Sequence, residues 1–461
     1  MEARPENKIT AGTCLQSWFI GAAFLLPALS SGQSSFNPIE RYRPQPLQIT
    51  PYSKSLYPQN QGPTQTVPFP SIQTPNAQQP NVVADGNEIP DRQDATYKLL
   101  MEDDMFRANE EWLAKSYSYR QAFSDLMKCN PDSFSLIRAQ YDVENSYLNN
   151  RFSYTAFLNG VKLRADLVKQ ILKREGLKAN NLTLNYCIQK LYQQTNLYYD
   201  SLKKLTIPVP PFKYDFDDYR GDKDLSNLFT SKLLTTFKGQ CSSMPRLYLL
   251  IAEQLGVKAW LSLAPQHSYI QFQGKDGGLR SFEPTNGYLV SPQWMISSGF
   301  INSKAIKNGS YLDTLSHRQL YSQLLADLLW NYIKNFPFDA FAETIKQRAL
   351  EIDPTNLRVL MMDANHKKDI ALRKIIAVGK PKPEDLPKYP EAYQAYLLSI
   401  AAYKKIDALG YQDMPPDAYQ RWLQSIDQEK KKQTNIEMRA KMQREIQSLK
   451  RRSTLINKPR Q

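Results

Sequence analysis

Apolar positions along this chain follow three regimes, each predicting a different kind of structure. Residues 33–91 show almost no apolar periodicity, and proline and glutamine recur in runs such as Arg43-Pro44-Gln45-Pro46 and Gln78-Gln79-Pro80. That composition buries too little surface to offset chain entropy, so a disordered or polyproline-II linker is expected. From 92 to 205, apolar and aromatic residues recur at helical spacing, through Tyr97, Leu99, Leu100, Met105 and Trp112 to Phe123 and Met127. The break Asn130-Pro131-Asp132-Ser133 offers Asp132 or Ser133 as an N-cap, and further helices are predicted over 154–174 and 181–196. The many interleaved tyrosines, among them Tyr119, Tyr141 and Tyr192, suit helix–helix packing.

Between 206 and 315 the pattern changes. Thr206-Ile207-Pro208-Val209-Pro210-Pro211 ends the helical region, and the acidic run at 214–224 lacks the spaced ligands of a calcium loop. It reads as a structured loop, with Asp224-Leu225-Ser226 opening a short helix. Residues 246–256 form a helical pattern closed by Gly256. Residues 259–263 and 267–273 then alternate as strands, Lys275-Asp276-Gly277-Gly278 makes a hairpin turn, and 279–283 returns as a third strand. A second helical region covers 316–418, with helices over 320–336 and 338–352 and another after Asp353-Pro354-Thr355-Asn356; a basic helical tail follows over 419–461. The class is α+β, with helices flanking a small antiparallel sheet.

Charge and cysteines refine this picture. Arg4 and Lys8 precede an apolar stretch at 18–29, followed by Ser30-Ser31-Gly32. Residues 1–32 therefore read as a signal peptide, its apolar stretch shorter than the roughly 20 residues a bilayer span needs. Export to the periplasm or cell envelope follows as an expectation. Beyond that segment lie Cys129, Cys187 and Cys241. Either Cys129 and Cys187 are bridged, leaving Cys241 reduced, or both are separately buried thiols. Of the net charge of +14, much sits at 429–461, with eleven Lys or Arg against three Glu. An exported protein rarely meets nucleic acid, so the tail is expected either to dock on an anionic envelope surface or to be a solvated helix. There is no phosphate loop, no dinucleotide fingerprint and no His/Cys pair at metal-ligand spacing, so neither cofactor nor metal is expected.

The candidate chemistry centres on Cys241, in Phe237-Lys238-Gly239-Gln240-Cys241-Ser242-Ser243, where a loop becomes a helix. Backbone N–H groups at a helix start favour a thiolate over a thiol. A base and an orienting acid follow in order, His267 and Glu283. Period-2 alternation puts His267, Tyr269 and Gln271 on one strand face, and the hairpin returns Glu283 beside them. His267 then takes the thiol proton while Glu283 fixes its tautomer. Gln240, Ser242 and Tyr269 are the candidate site-supporting residues, with N–H groups at the helix start forming an oxyanion site. The other two histidines, His317 and His366, lie elsewhere.

Gly239-Gln240-Cys241 resembles the nucleophile motif of the transglutaminase-like superfamily, and Ser281-Phe282-Glu283-Pro284 resembles its acid strand. Ala349-Leu350-Glu351-Ile352-Asp353-Pro354-Thr355-Asn356 is similar to the join between tetratricopeptide-type repeats. The resemblance covers roughly residues 180–365. It implies a papain-type core, with a nucleophile helix packed on an antiparallel sheet, flanked by N-terminal helices and followed by repeat-like helices. Glu283 stands where the family has aspartate, and Ser242 where an aromatic residue follows the cysteine, which favours hydrolysis or another acyl transfer over cross-linking. The implied function is amide or ester chemistry on a protein or peptide of the cell envelope. The alternative is a catalytically silent scaffold holding a partner protein on its C-terminal helices.

Overall fold

The structure is a computed structural model and describes residues 110–298, 301, 303–411 and 433–456. The expected signal segment, the linker and the start of the first helical region lie outside the described residues. Five helices come first: α1 Glu110–Lys115, α2 Tyr117–Met127, α3 Leu136–Tyr147, α4 Tyr154–Arg174 and α5 Asn181–Gln193. The cap of α3 is Ser135, whose hydroxyl accepts from Arg138 N, and not Asp132 or Ser133. Asn130 Oδ1 accepts from Asp132 N at 2.9 Å, so that part of the break is already used as a turn.

The first helical region ends sooner than its spacing predicts. Residues 196–209 form an antiparallel hairpin, β1 Asn196–Asp200 and β2 Leu205–Val209, with Leu197 opposite Pro208. Adjacent tyrosines at 198 and 199 favour strand over helix, and a two-stranded ribbon tolerates Pro208. The acidic run then ties itself together. Asp218 accepts backbone N–H groups of Asp222, Lys223 and Asp224 and the side-chain amide of Asn227. Among the described residues no group of three His, Cys, Asp or Glu is placed to hold a metal ion.

Strand β3, Lys213–Tyr214, pairs in parallel with β4, Lys238–Gly239; between them lie a 3₁₀ turn at Leu225–Leu228 and α6, Thr230–Thr236. The central helix α7, Ser243–Leu255, follows. The predicted sheet forms as β5 Trp260–Ala264, β6 His267–Gln273 and β7 Leu279–Glu283, extended by an unpredicted β8, Tyr288–Val290. All neighbours are antiparallel in chain order, with Ala264 opposite His267, Gln271 opposite Ser281 and Glu283 opposite Tyr288. Short helices α8 Pro292–Ser298 and α9 Ser303–Lys307 lead to α10 His317–Asn335, α11 Ala340–Ile352, α12 Leu357–Ala377 and α13 Pro390–Ala408, and α14 Gln433–Ile456 closes the described chain. Ser316 and Asp339 cap α10 and α11. No helix of the described residues is long and apolar enough to cross a membrane.

Helix α7 is buried almost all round. Met244, Leu247, Tyr248, Leu250, Ile251 and Ala252 are each inaccessible to solvent. It packs on β5 and β6 and against α3, α4, α5 and α6. The same apolar cluster continues through α10 and α11 to Met442 and Ile446 of α14. Cys187 is buried in this cluster, Cys129 packs at its margin, and both are free thiols like Cys241. The bridge considered from sequence is therefore not formed.

The basic tail is more than a solvated helix. Met438, Met442, Ile446 and Leu449 make a stripe at helical spacing that packs into the main cluster. The opposite charges it meets are the protein's own: Lys441 lies 3.4 Å from Asp276, Arg280 lies 3.6 Å from Glu445, and Lys450 pairs with Glu175. Arg439 stacks its guanidinium on the Tyr288 ring. Helix α14 thereby covers the edge strand β8. Ile446→Ala is expected to cost about 2–4 kcal/mol, read as a fall in the urea midpoint at unchanged slope, because it empties a site that is 2 % exposed.

Candidate active site

The loop that carries Cys241 is fixed before α7 begins. Phe237 ends α6 in the left-handed region at φ 58°, and β4 then delivers Gly239. A Cβ at Gly239 would sit 2.8 Å from Ser243 Oγ and 3.0 Å from a Leu233 methyl, so the position accepts only glycine. Gln240 N donates to Ser243 Oγ at 2.9 Å, and Met244 N donates to Gln240 O at 2.9 Å. These bonds start the helix and leave Cys241 immediately before it, partly exposed.

Strand β6 holds the cysteine from two sides. Ser268 Oγ donates to Cys241 O at 2.6 Å, and Cys241 Sγ lies 3.8 Å from Gln266 O, a long contact to a residue held at φ 55° in the β5–β6 turn. Between them stands His267, whose side chain is 1 % exposed. Its Nε2 lies 2.6 Å from Oε2 of Glu283, whose side chain is fully buried. The other Glu283 oxygen accepts Thr285 N at 3.1 Å and Thr285 Oγ1 at 2.8 Å. Register explains the choice of acid. Ile270 opposes Phe282, so Glu283 faces Tyr269 and reaches His267 on the diagonal, where Cα atoms are about 7–8 Å apart. The methylene that glutamate adds to aspartate spans that offset.

The turn after Glu283 is equally constrained. Gly287 has φ 73°, donates its N–H to Glu283 O at 2.9 Å, and passes so close to Tyr192 that a Cβ would meet its carbonyl at 2.7 Å. Any side chain there pushes the Glu283 turn off α5.

Burial disfavours a charged imidazole at His267. The charge of Glu283, hydrogen bonding by Cys241 and Glu283, and the charge of Cys241 together outweigh it, raising the pKa from 6.5 to about 9. With Nε2 committed to Glu283, Nδ1 is the ring nitrogen left to interact with Cys241. Because the folded value is raised, the pair's contribution to stability is full below about pH 6.5 and is lost as pH rises through about 9.

Of the supporting residues read from sequence, the structure brings Ser242 to the site. It is exposed, lines the same cavity as Cys241 and His267, and donates to Leu228 O at 3.3 Å. Gln240 is fully buried, with its amide nitrogen 3.5 Å from Asp217 O, and does not line that cavity. Tyr269 shares the face of His267 as its alternation predicts, but it lies in the packing, its hydroxyl 3.5 Å from Leu312 O. Sequence reading missed Ser268 and Thr285, although both adjoin residues it chose. It also missed the far wall. The cavity, about 390 Å³, runs from Cys241 and His267 to Gln323 and Asp327 of α10 and Arg358 of α12. No local pattern signals a contact between residues so far apart in sequence. The volume lies within the usual range of small-ligand sites.

Comparison with protein-family models, with curated proteins and with solved structures finds no match for this chain.

The acid–base geometry has a signature. Removing the charge of Glu283 lowers the pKa of His267, so Glu283→Gln is expected to shift the alkaline fall of any Cys241-dependent reaction to lower pH by one unit or more. The pH dependence of Cys241 acylation by an activated ester, compared between the two proteins, measures it.

Proposed function

We propose that this chain is an exported, transglutaminase-like cysteine enzyme that hydrolyses or transfers an acyl group from an amide or ester of the cell envelope. The observation that carries the reading is the placement of Cys241 and His267 at one cavity, with Glu283 fully buried 2.6 Å behind the His267 ring and Cys241 partly exposed. The apolar stretch after Arg4 and Lys8 supports export, and the paired helices α10–α11 and α12–α13 support a repeat-like C-terminal region.

His267 takes the Cys241 proton, and the sulfur attacks the carbonyl carbon, forming an S–C bond while the carbonyl π pair moves to oxygen. N–H groups at the start of α7 stabilise that oxyanion. Collapse breaks the bond to the leaving amine or alcohol, which takes the proton from the imidazolium, and leaves a thioester. Water, deprotonated by His267, then attacks the thioester and releases the acid; another amine in its place gives transfer. Glu283 keeps Nε2 protonated throughout and balances the imidazolium charge. The Cys241 thiolate leaves as the S–C bond breaks, so the reaction consumes only the substrate and water, or the substrate and an acceptor amine.

Relative thiol reactivity tests the reading. Burial raises the pKa of Cys129, with Asp142 and Asp125 adding to it, and burial pushes Cys187 up to about 12. Iodoacetamide at pH 7 is expected to label Cys241 at least tenfold faster than either, with His267→Ala removing the advantage. Labelling of Cys241 no faster than of Cys129 would sink the enzyme and leave a scaffold.

A further inference from the structure

The catalytic groups occupy one part of the cavity, and the remaining wall has chemistry that they do not use. Arg246 lies in the first turn of α7, three residues and about 4.5 Å along the axis from Ser243. It lines the cavity, is 7 % exposed, and its Nη1 has no hydrogen-bond partner. Its Nη2 reaches Asp327 Oδ2 at 3.3 Å. The other Asp327 oxygen is taken by Arg358, so two guanidinium groups share one carboxylate. On α3, Gln140 also lines the cavity, is 5 % exposed, and its Oε1 has no donor.

The remaining acids of the wall are already covered. Glu144 accepts Thr230 N, Thr230 Oγ1, Ser231 N and the amide of Gln140. Asp353 accepts Thr355 N and Thr355 Oγ1. Leaving a buried guanidinium nitrogen without an acceptor costs about 1–3 kcal/mol or more. A bound carboxylate removes that cost, and a neighbouring substrate N–H satisfies Gln140.

We propose that Arg246 and Arg358, with Gln140, form a carboxylate-recognition subsite, so that the substrate is a peptide-like molecule bearing a free carboxylate a few bonds from the reacting carbonyl. This rests on the cavity being the substrate site. The carboxylate comes either from a chain end or from an acidic side chain, and the geometry suits both.

Binding to the full-length Cys241→Ala protein tests it by calorimetry, with three probes: N-acetyl-trialanine, its carboxamide, and carboxamide-capped N-acetyl-Ala-Glu-Ala. At least one carboxylate probe is expected to bind about 10–100-fold tighter than the neutral carboxamide. Preference for the first identifies a chain end, and preference for the third an acidic side chain. Arg358→Met, at a partly exposed position, is expected to erase most of that preference, and Arg358→Lys to keep part of it. Equal binding of all three, no binding of any, or a preference untouched by Arg358→Met overturns the subsite and leaves the arginines as a structural link between α7, α10 and α12. Turnover plays no part in this readout. A reactive Cys241 without carboxylate preference sinks the subsite alone, and preference at an unreactive Cys241 sinks the enzyme alone.

Discussion

A 2.6 Å contact between an imidazole and a carboxylate, both sealed from water, sets the terms for everything around it. Neither partner is tolerable alone in that place: an unpaired buried charge is costly, and breaking such a pair destabilises more than the pair itself contributes. The surrounding chain is arranged accordingly. Thr285 covers the second carboxylate oxygen, Gly287 lets the turn close against α5, and β6 and β7 fix the diagonal between the two side chains. The thiol is the exposed member of the set, which is the order an attacking group requires.

The cavity joins parts of the chain that the sequence separates. Its Cys241 belongs to the loop before α7, its His267 to the sheet, and its far wall to α10 and α12. The C-terminal helices are thus part of the proposed site's shape, whatever else they bind. This also changes the reading of the basic tail. Three of its eleven cations, Lys450, Lys441 and Arg439, sit beside Glu175 and Asp276 or over Tyr288, so that part of its charge is already engaged within the protein.

Local signals were legible where one short segment decides the outcome. The run 154–174 repeats apolar residues at helical spacing and forms α4 over those residues; the alternation at 267–273 and the Gly277-Gly278 turn form β6 and its hairpin. Cys241, His267 and Glu283 each stand at a junction between elements, and the structure brings the last two within 2.6 Å of each other. Misreadings came where two tendencies compete. Tyr198 and Tyr199 follow a helix and continue its apolar character, yet pair as a strand with 205–209. Gln240 sits beside the cysteine in sequence but turns into the interior. Arg246 drew no reading of its own from sequence, because Asp327, which it shares with Arg358, is brought to it from a distant helix.

The last described helix has a consequence for timing. It clasps the hairpin that carries the acid, with Arg439 on Tyr288, directly opposite Glu283, and Lys441 on the turn at Asp276. A ribosome makes the cysteine loop and all four strands long before it makes these residues. The hairpin therefore gains this clamp only once α14 has been made, so a chain truncated before α14 carries Cys241, His267 and Glu283 without the brace that steadies them.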